Sequence, residues 1–382
     1  MLAFINAEIW TVSHGKIKNG KILLQDGKIT ALGKKISIPV EATVIDVQGK
    51  IITPGLIDSH SHVGVMEESI GWAGDDVNEC TDPNTAQVRA LDGINPYDQG
   101  FEDCLVGGVT TVQVGPGSGN VIGGEMVVLK TAGSVVDQMV IKQLSGMKAA
   151  LGENPKNVYG SQKKMPSTRM GSAAVLRTAL MDAKNYMLKK EAGKEQAFDM
   201  RKENLIKVLK REIPLRVHAH RADDIVTALR IGDEFKIEIS LEHCTEGDKV
   251  ADLIAAKGVY AAVGPTMSAK SKVELKDMGY HTPVALAKAG VAFSIISDHP
   301  LIPEKYLHIS AGLAIREGLD EEIALKAITE IPAKMLGLYE RIGSLEVGKD
   351  ADLVVWSEDP FEMMAQVCYT VINGTIVWQG GK

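Results

Sequence analysis

Between residues 54 and 340, short apolar runs alternate with stretches in which apolar residues recur every three to four positions. The runs at 56–63, 109–114, 146–151, 215–219, 237–241, 259–263 and 291–296 predict seven buried strands, with an eighth available at 126–130 or 138–142. Amphipathic stretches such as 223–231 separate several of them. Strand and helix alternating over about 280 residues predict an α/β fold, a (β/α)8 TIM-like barrel. One unit is irregular, because two helical patterns, 173–188 and 203–211, follow each other with no strand between them. Residues 75–98 have little periodicity, and a loop of that length in a compact domain is functional or mobile.

The two ends read differently. Asp26-Gly27 separates the apolar runs 22–24 and 29–32, Asn19-Gly20 interrupts 17–24, and Asn373-Gly374 joins Val371-Ile372 to 375–378. Such pairs predict hairpins, because both central residues of a tight hairpin turn need positive φ. Residues 352–356 read as a buried strand. Neither β-rich end can bury both of its faces alone, so the two are expected to pair as one small β domain.

Charge narrows the classes of function. Lys plus Arg total 42 against 49 for Asp plus Glu, a net charge of -7 with 45% apolar residues. That balance excludes an electrostatic nucleic-acid or membrane-surface binder and leaves a small-molecule partner, with a homo-oligomer open. The four cysteines form no C-x-x-C pair, so neither a disulfide framework nor a cysteine zinc knuckle is indicated. The first apolar stretch contains Glu8 with no basic residue ahead of it, unlike a secretory signal, and no run reaches the roughly 18 apolar residues of a membrane span. A cytoplasmic protein is expected.

Six of the nine histidines fall in four short segments, each closing a predicted strand. They are His60 and His62; His218 and His220; His243; and His299, which follows Asp298. The C-terminal strand ends of a barrel form one face, so these segments converge. Two histidines two apart on a strand project from the same side and can grip one ion. Arg169, opening a helix after a polar loop, could bind a substrate carboxylate, and Tyr159 has the same standing. His220 and His299 adjoin expected ligands and are candidates for contact with substrate or for hydrogen bonds to those ligands. Cys244 is read as packing.

Pro54-Gly55-Leu56-Ile57-Asp58-Ser59-His60-Ser61-His62 resembles the opening strand of the amidohydrolase superfamily, and Gly343-Ser344-Leu345-Glu346-Val347-Gly348-Lys349-Asp350-Ala351-Asp352-Leu353-Val354 is similar to its closing segment. His218-Ala219-His220, Glu242-His243, Ser297-Asp298-His299-Pro300 and Gly152-Glu153-Asn154-Pro155-Lys156 resemble the imidazolonepropionase-related branch, which also contains metal-dependent prolidases. Where that branch carries His-Ala-Asp, this chain has His218-Ala219-His220. The resemblance implies a metal-bearing barrel at 54–340 and a composite β-sandwich built from 1–53 and 341–382. It implies that His60, His62 and Asp298 hold one ion, and that His218 and His243 hold a second ion or orient substrate. A bridging anion would come from Glu153 or a carboxylated Lys148. Glu153 is favoured because it follows its apolar run, whereas Lys148 falls in mid-strand.

The implied chemistry is hydrolysis of an amide or cyclic amide C–N bond by a metal-activated hydroxide, with Asp298 as base and then acid. Zinc, as one or two ions, is the favoured metal, and iron, manganese or cobalt suit the same donors. The alternatives are a prolidase-like metallodipeptidase, a deaminase of the same superfamily and a non-catalytic barrel scaffold.

Overall fold

The computed structural model describes residues 1–380. Its first five strands are β1 (Leu2–Trp10), β2 (Lys16–Gln25), β3 (Lys28–Gly33), β4 (Thr43–Asp46) and β5 (Ile51–Pro54). The barrel strands follow as β6 (Leu56–Ser61), β7 (Val109–Val114), β8 (Ile122–Lys130), β9 (Val140–Ala150), β10 (Leu215–Ala219), β11 (Ile239–His243), β12 (Tyr260–Val263) and β13 (Phe293–Ile295). The chain ends with β14 (Leu353–Trp356), β15 (Val367–Ile372) and β16 (Thr375–Gln379).

The termini meet in one sheet, ordered β16-β15-β14-β5-β1-β2-β3 with β4 also pairing β1. Their junction is antiparallel, with Leu353 opposite Pro54 and Trp356 opposite Ile51. Phe4, Ile22, Ile52, Leu353, Val355 and Val371, drawn from both ends of the chain, share one apolar core. Two of the expected turns take the predicted form: Asp26 and Gly27 have φ of 50° and 76°, and Asn373 and Gly374 have 49° and 75°. Asn19-Gly20 makes no hairpin: it lies inside β2, which pairs with β1 on both sides of it through a register shift.

The second sheet runs in chain order from β6 to β13. Seven of its strands are parallel, but β8 is antiparallel to both β7 and β9. This corrects the expectation of a regular (β/α)8 barrel. The connections at 115–121 and 131–139 are shorter than the dozen or so residues that a parallel crossover requires, so the chain can only double back. The candidate strand at 126–130 lies in β8, while 138–142 leads into β9. Between β13 and β6 the barrel is nearly closed, by a hydrogen bond from His62 N to the His299 carbonyl (3.1 Å) and by Ser59 Oγ against Ser294 Oγ (2.6 Å).

Two helices, Arg169–Glu191 and Met200–Leu209, follow each other without an intervening strand, as the periodicity implies. The long aperiodic loop is laid along β8: Thr85 N donates to Ile122 O (2.9 Å), Glu125 N to Val88 O (2.8 Å), and Asn78 Oδ1 accepts from Gly119 N (2.7 Å). Among the described residues, no helix is long and apolar enough to cross a membrane.

Candidate metal centre

Alternation along the barrel strands sends every second side chain into the interior, and contacts across the barrel identify that set. His60 on β6 meets Glu242 on β11, Nδ1 to Oε2, at 2.8 Å. Lys148 on β9 brings its Nζ to 3.4 Å from His60 Nε2, and Arg216 on β10 approaches Glu242 Oε1 at 3.4 Å. All four are buried. At the strand ends above them, Asp298 Oδ1 lies 3.3 Å from both His60 Nε2 and His62 Nε2. The rings of His218 and His220 lie 4.5 Å apart, and those of His218 and His243 4.3 Å apart. Two triads result, His60–His243–Asp298 and His218–His220–His243, in each of which one ligand atom per residue lies within 4.8 Å of the others. His243 belongs to both.

The opposite edge of each ring is tied down. His62 Nδ1 faces Gly115 O (2.8 Å) and His243 Nδ1 faces Gly264 O (2.9 Å), which makes each Nδ1 the protonated donor and leaves Nε2 with its lone pair. His218 Nδ1 meets Ser118 Oγ and His220 Nδ1 meets Thr245 Oγ1, both at 2.8 Å. The Nε2 atoms of His218 and His243 are buried with no hydrogen-bond partner among the described residues. Buried, unpartnered acceptors are costly, and a cation would satisfy them, so the donor set fits a divalent metal.

Electrostatics agrees with that fit. Burial pushes His243 down to about 3 and holds His218 and His220 well below the usual histidine range, so all three are neutral, as ligands must be. Asp298 lies well below the usual carboxylate range: burial opposes this, but His243, His60 and His62 outweigh it. Burial works against Glu242 too, yet His60 and Arg216 bring it down to about 2. His243 and Asp298 have φ of 73° and 53°, a left-handed backbone that is uncommon outside glycine and concentrates at functional sites.

Comparison with known proteins fits the same picture. The profile described as the Amidohydrolase family matches residues 51–377. The chain belongs to this family. It is a hydrolase acting on carbon–nitrogen bonds. It is 28% identical over 389 residues to the amidohydrolase tasK of Hapsidospora irregularis, covering 93% of this chain but only 39% of that protein's length. An imidazolonepropionase of Rhizobium rhizogenes is 25% identical over 409 residues, covering 98% of this chain and 96% of the relative. The crystal structure of an amidohydrolase from Thermotoga maritima MSB8 superposes with a TM-score of 0.97 at 44% identity over the full length of both chains. A prolidase complexed with N-methylphosphonate-L-proline shares the fold at a TM-score of 0.64 and 18% identity, covering 99% of this chain and all of that one.

Of the residues expected from the sequence, His60, His62, His218, His243 and Asp298 come together, and His220 stands among them as a potential ligand rather than beside them. Glu153 does not join them. It begins the helix Glu153–Ser161 and accepts from Glu274 N at 3.3 Å. Lys148 does reach the cluster from mid-strand, its Nζ lying 3.4 Å from His60 Nε2. Arg169 is occupied by Asp224 (2.9 Å) and Glu274 (2.6 Å). Tyr159 is buried with its hydroxyl on Asn120 Oδ1, and the buried His299 ring lies against Gly100, where a side chain would run into its Nε2. Cys244 is buried, with its thiol pushed up to about 12 by burial, which is inert packing. Sequence reasoning missed Glu242 as a partner, although it adjoins His243, because nothing local shows that β6 and β11 face each other across the interior. It also missed Lys272, in the loop after β12.

Proposed function

We propose that the chain hydrolyses an amide or cyclic amide bond of a small molecule at a divalent metal centre. The observation that carries this reading is the anchoring of the Nδ1 edges of five histidines, which turns their other edges into two clusters that share His243, one of them completed by Asp298. His60, His62 and Asp298 hold one ion in this reading. His218, His220 and His243 hold a second, and the strand unit 54–340 is the catalytic barrel resting on a β-sandwich of 1–53 and 341–382. Zinc is the ion that best suits a histidine-rich, carboxylate-completed donor set. Carboxylated Lys148 is the better bridge by position. Burial brings its amine down to about 8, which leaves part of it neutral and nucleophilic near neutral pH.

When bound, a divalent ion supplies Lewis acidity, polarising the scissile carbonyl and lowering the pKa of water towards neutrality. The chain's own residues do the rest. Asp298, held ionised, accepts a proton from the attacking water at its carboxylate and returns it to the departing nitrogen. Glu242 fixes the tautomer and orientation of His60 through Nδ1. Full-length similarity to imidazolonepropionases supports a cyclic amide as the leading substrate class.

The test is turnover of imidazolone propionate, Xaa-Pro dipeptides and aminated heterocycles by metal-loaded, chelated and reloaded protein, with metal content measured in parallel. Activity should vanish on chelation and return on reloading, and Asp298→Asn should lower kcat by about 10³-fold. No turnover of any C–N substrate by metal-replete protein would overturn the reading.

A further inference from the structure

The loop that follows β12 crosses the same face of the barrel as the histidines and carries Lys272, whose side chain is only 20% exposed. Its Nζ donates to a neutral acceptor, Asn154 Oδ1, at 2.8 Å. The nearest carboxylate oxygen, Glu274 Oε2, is 3.9 Å away, and the other oxygen of that carboxylate is taken by Arg169 at 2.6 Å. Other lysines are matched more tightly: Lys249 meets Glu246 and Asp277 at 2.9 and 2.7 Å, and Lys207 meets Glu125 at 2.7 Å. Lys272 is therefore a largely desolvated cation with a loose counter-charge, an arrangement that gains from an incoming anion.

Its position points the same way. Asn154, which holds the Lys272 ammonium, is in the helix Glu153–Ser161 that begins just past the end of β9, and Leu151 between the two donates its N–H to His218 O at 3.0 Å, so the ammonium lies at the strand ends that carry the metal-ligand cluster. Arg169, the cation that the sequence offers for this task, is committed to two carboxylates.

We propose that Lys272 determines specificity by binding an anionic group, a carboxylate in the simplest case, on a substrate whose scissile C–N bond reaches the histidine cluster. This rests on the hydrolase reading above and narrows it to acids. A neutral analogue forfeits the contact and leaves the cation as it stands in the free protein.

The experiment uses metal-loaded full-length protein and calorimetric binding of two ring acids, N-acetyl-L-proline and 3-(imidazol-4-yl)propionate, each against its carboxamide. The wild type should bind at least one acid about tenfold or more tightly than its amide, the worth of one charge-assisted hydrogen bond. Lys272→Met should erase that preference by weakening the acid alone, Lys272→Arg should restore part of it, and metal content should stay the same in all three. For any acid that is also turned over, the loss should appear in KM and not in kcat. Equal preference in wild type and Lys272→Met, or no binding of either acid to wild type, overturns the proposal. A preference that depends on Lys272 in a protein that turns over no C–N substrate would keep the anion site and remove the hydrolase reading.

Discussion

Where the terminal sheet closes on Phe4, Ile22, Ile52, Leu353 and Val371, the barrel closes around His60, Lys148, Arg216 and Glu242, so the chain builds two interiors of opposite chemistry. The apolar interior gains stability from burial itself. Burial of charge is costly, and the barrel offsets it only by matching each group to another across the interior, as Glu242 does for His60 and Arg216. The difference teaches that the barrel's interior is arranged for a task. Apolar side chains of similar volume could hold the strands together as well, but could not orient a ligand.

The largest expected effect breaks the polar side of that comparison. Glu242→Gln leaves Arg216 buried without its counter-charge and His60 without the carboxylate that fixes its tautomer. It should cost about 3–5 kcal/mol of stability and weaken metal binding by about 10–100-fold. Chemical denaturation and metal titration measure the two losses, and a variant that keeps wild-type metal affinity would mean that His60 is oriented some other way.

Phe4→Ala is the matching change on the apolar side. A cavity at a fully buried phenylalanine should cost about 3–5 kcal/mol, with metal stoichiometry and KM of the surviving folded protein unchanged. A change in either would show that the terminal sheet shapes the site as well as supporting the barrel.

The smallest effect probes the seam between the two regions. His308, on the barrel helix Leu307–Arg316, lies 5.0 Å from Trp356 of β14, ring to ring, and burial pushes it down to about 4. The unfolded chain binds this proton near pH 6.5 and the folded chain near 4, so stability is fully present above 6.5 and is lost as pH falls between those values. The whole loss is on the order of 3 kcal/mol. Denaturation midpoints against pH should show this slope, and His308→Gln should flatten it. An unchanged slope would assign it to other groups.

Much of this was legible in the chain. Two of the three hairpin dipeptides located turns of the terminal sheet, apolar runs located seven of the barrel strands, and the H-x-H pairs with His243 and Asp298 marked the strand ends that converge. These are local signals, set by φ preferences and by the side-chain period of two. The reversal of β8 was less visible, because it follows from the length of connections whose ends the sequence does not mark. The approach of Lys148 to His60 was also hidden, since it depends on how far a lysine stem reaches across a barrel.

The sequence by itself thus determined most of the strands, two of the turns and the residue types of the candidate metal site, because each rests on neighbours a few positions apart. Only the tertiary structure decided that Glu242 faces His60, that Arg169 is already occupied and that Lys272 has a loose counter-charge. Those facts join residues separated by 55 to 182 positions, and distances of that kind are fixed by barrel closure and loop packing, which no local pattern encodes.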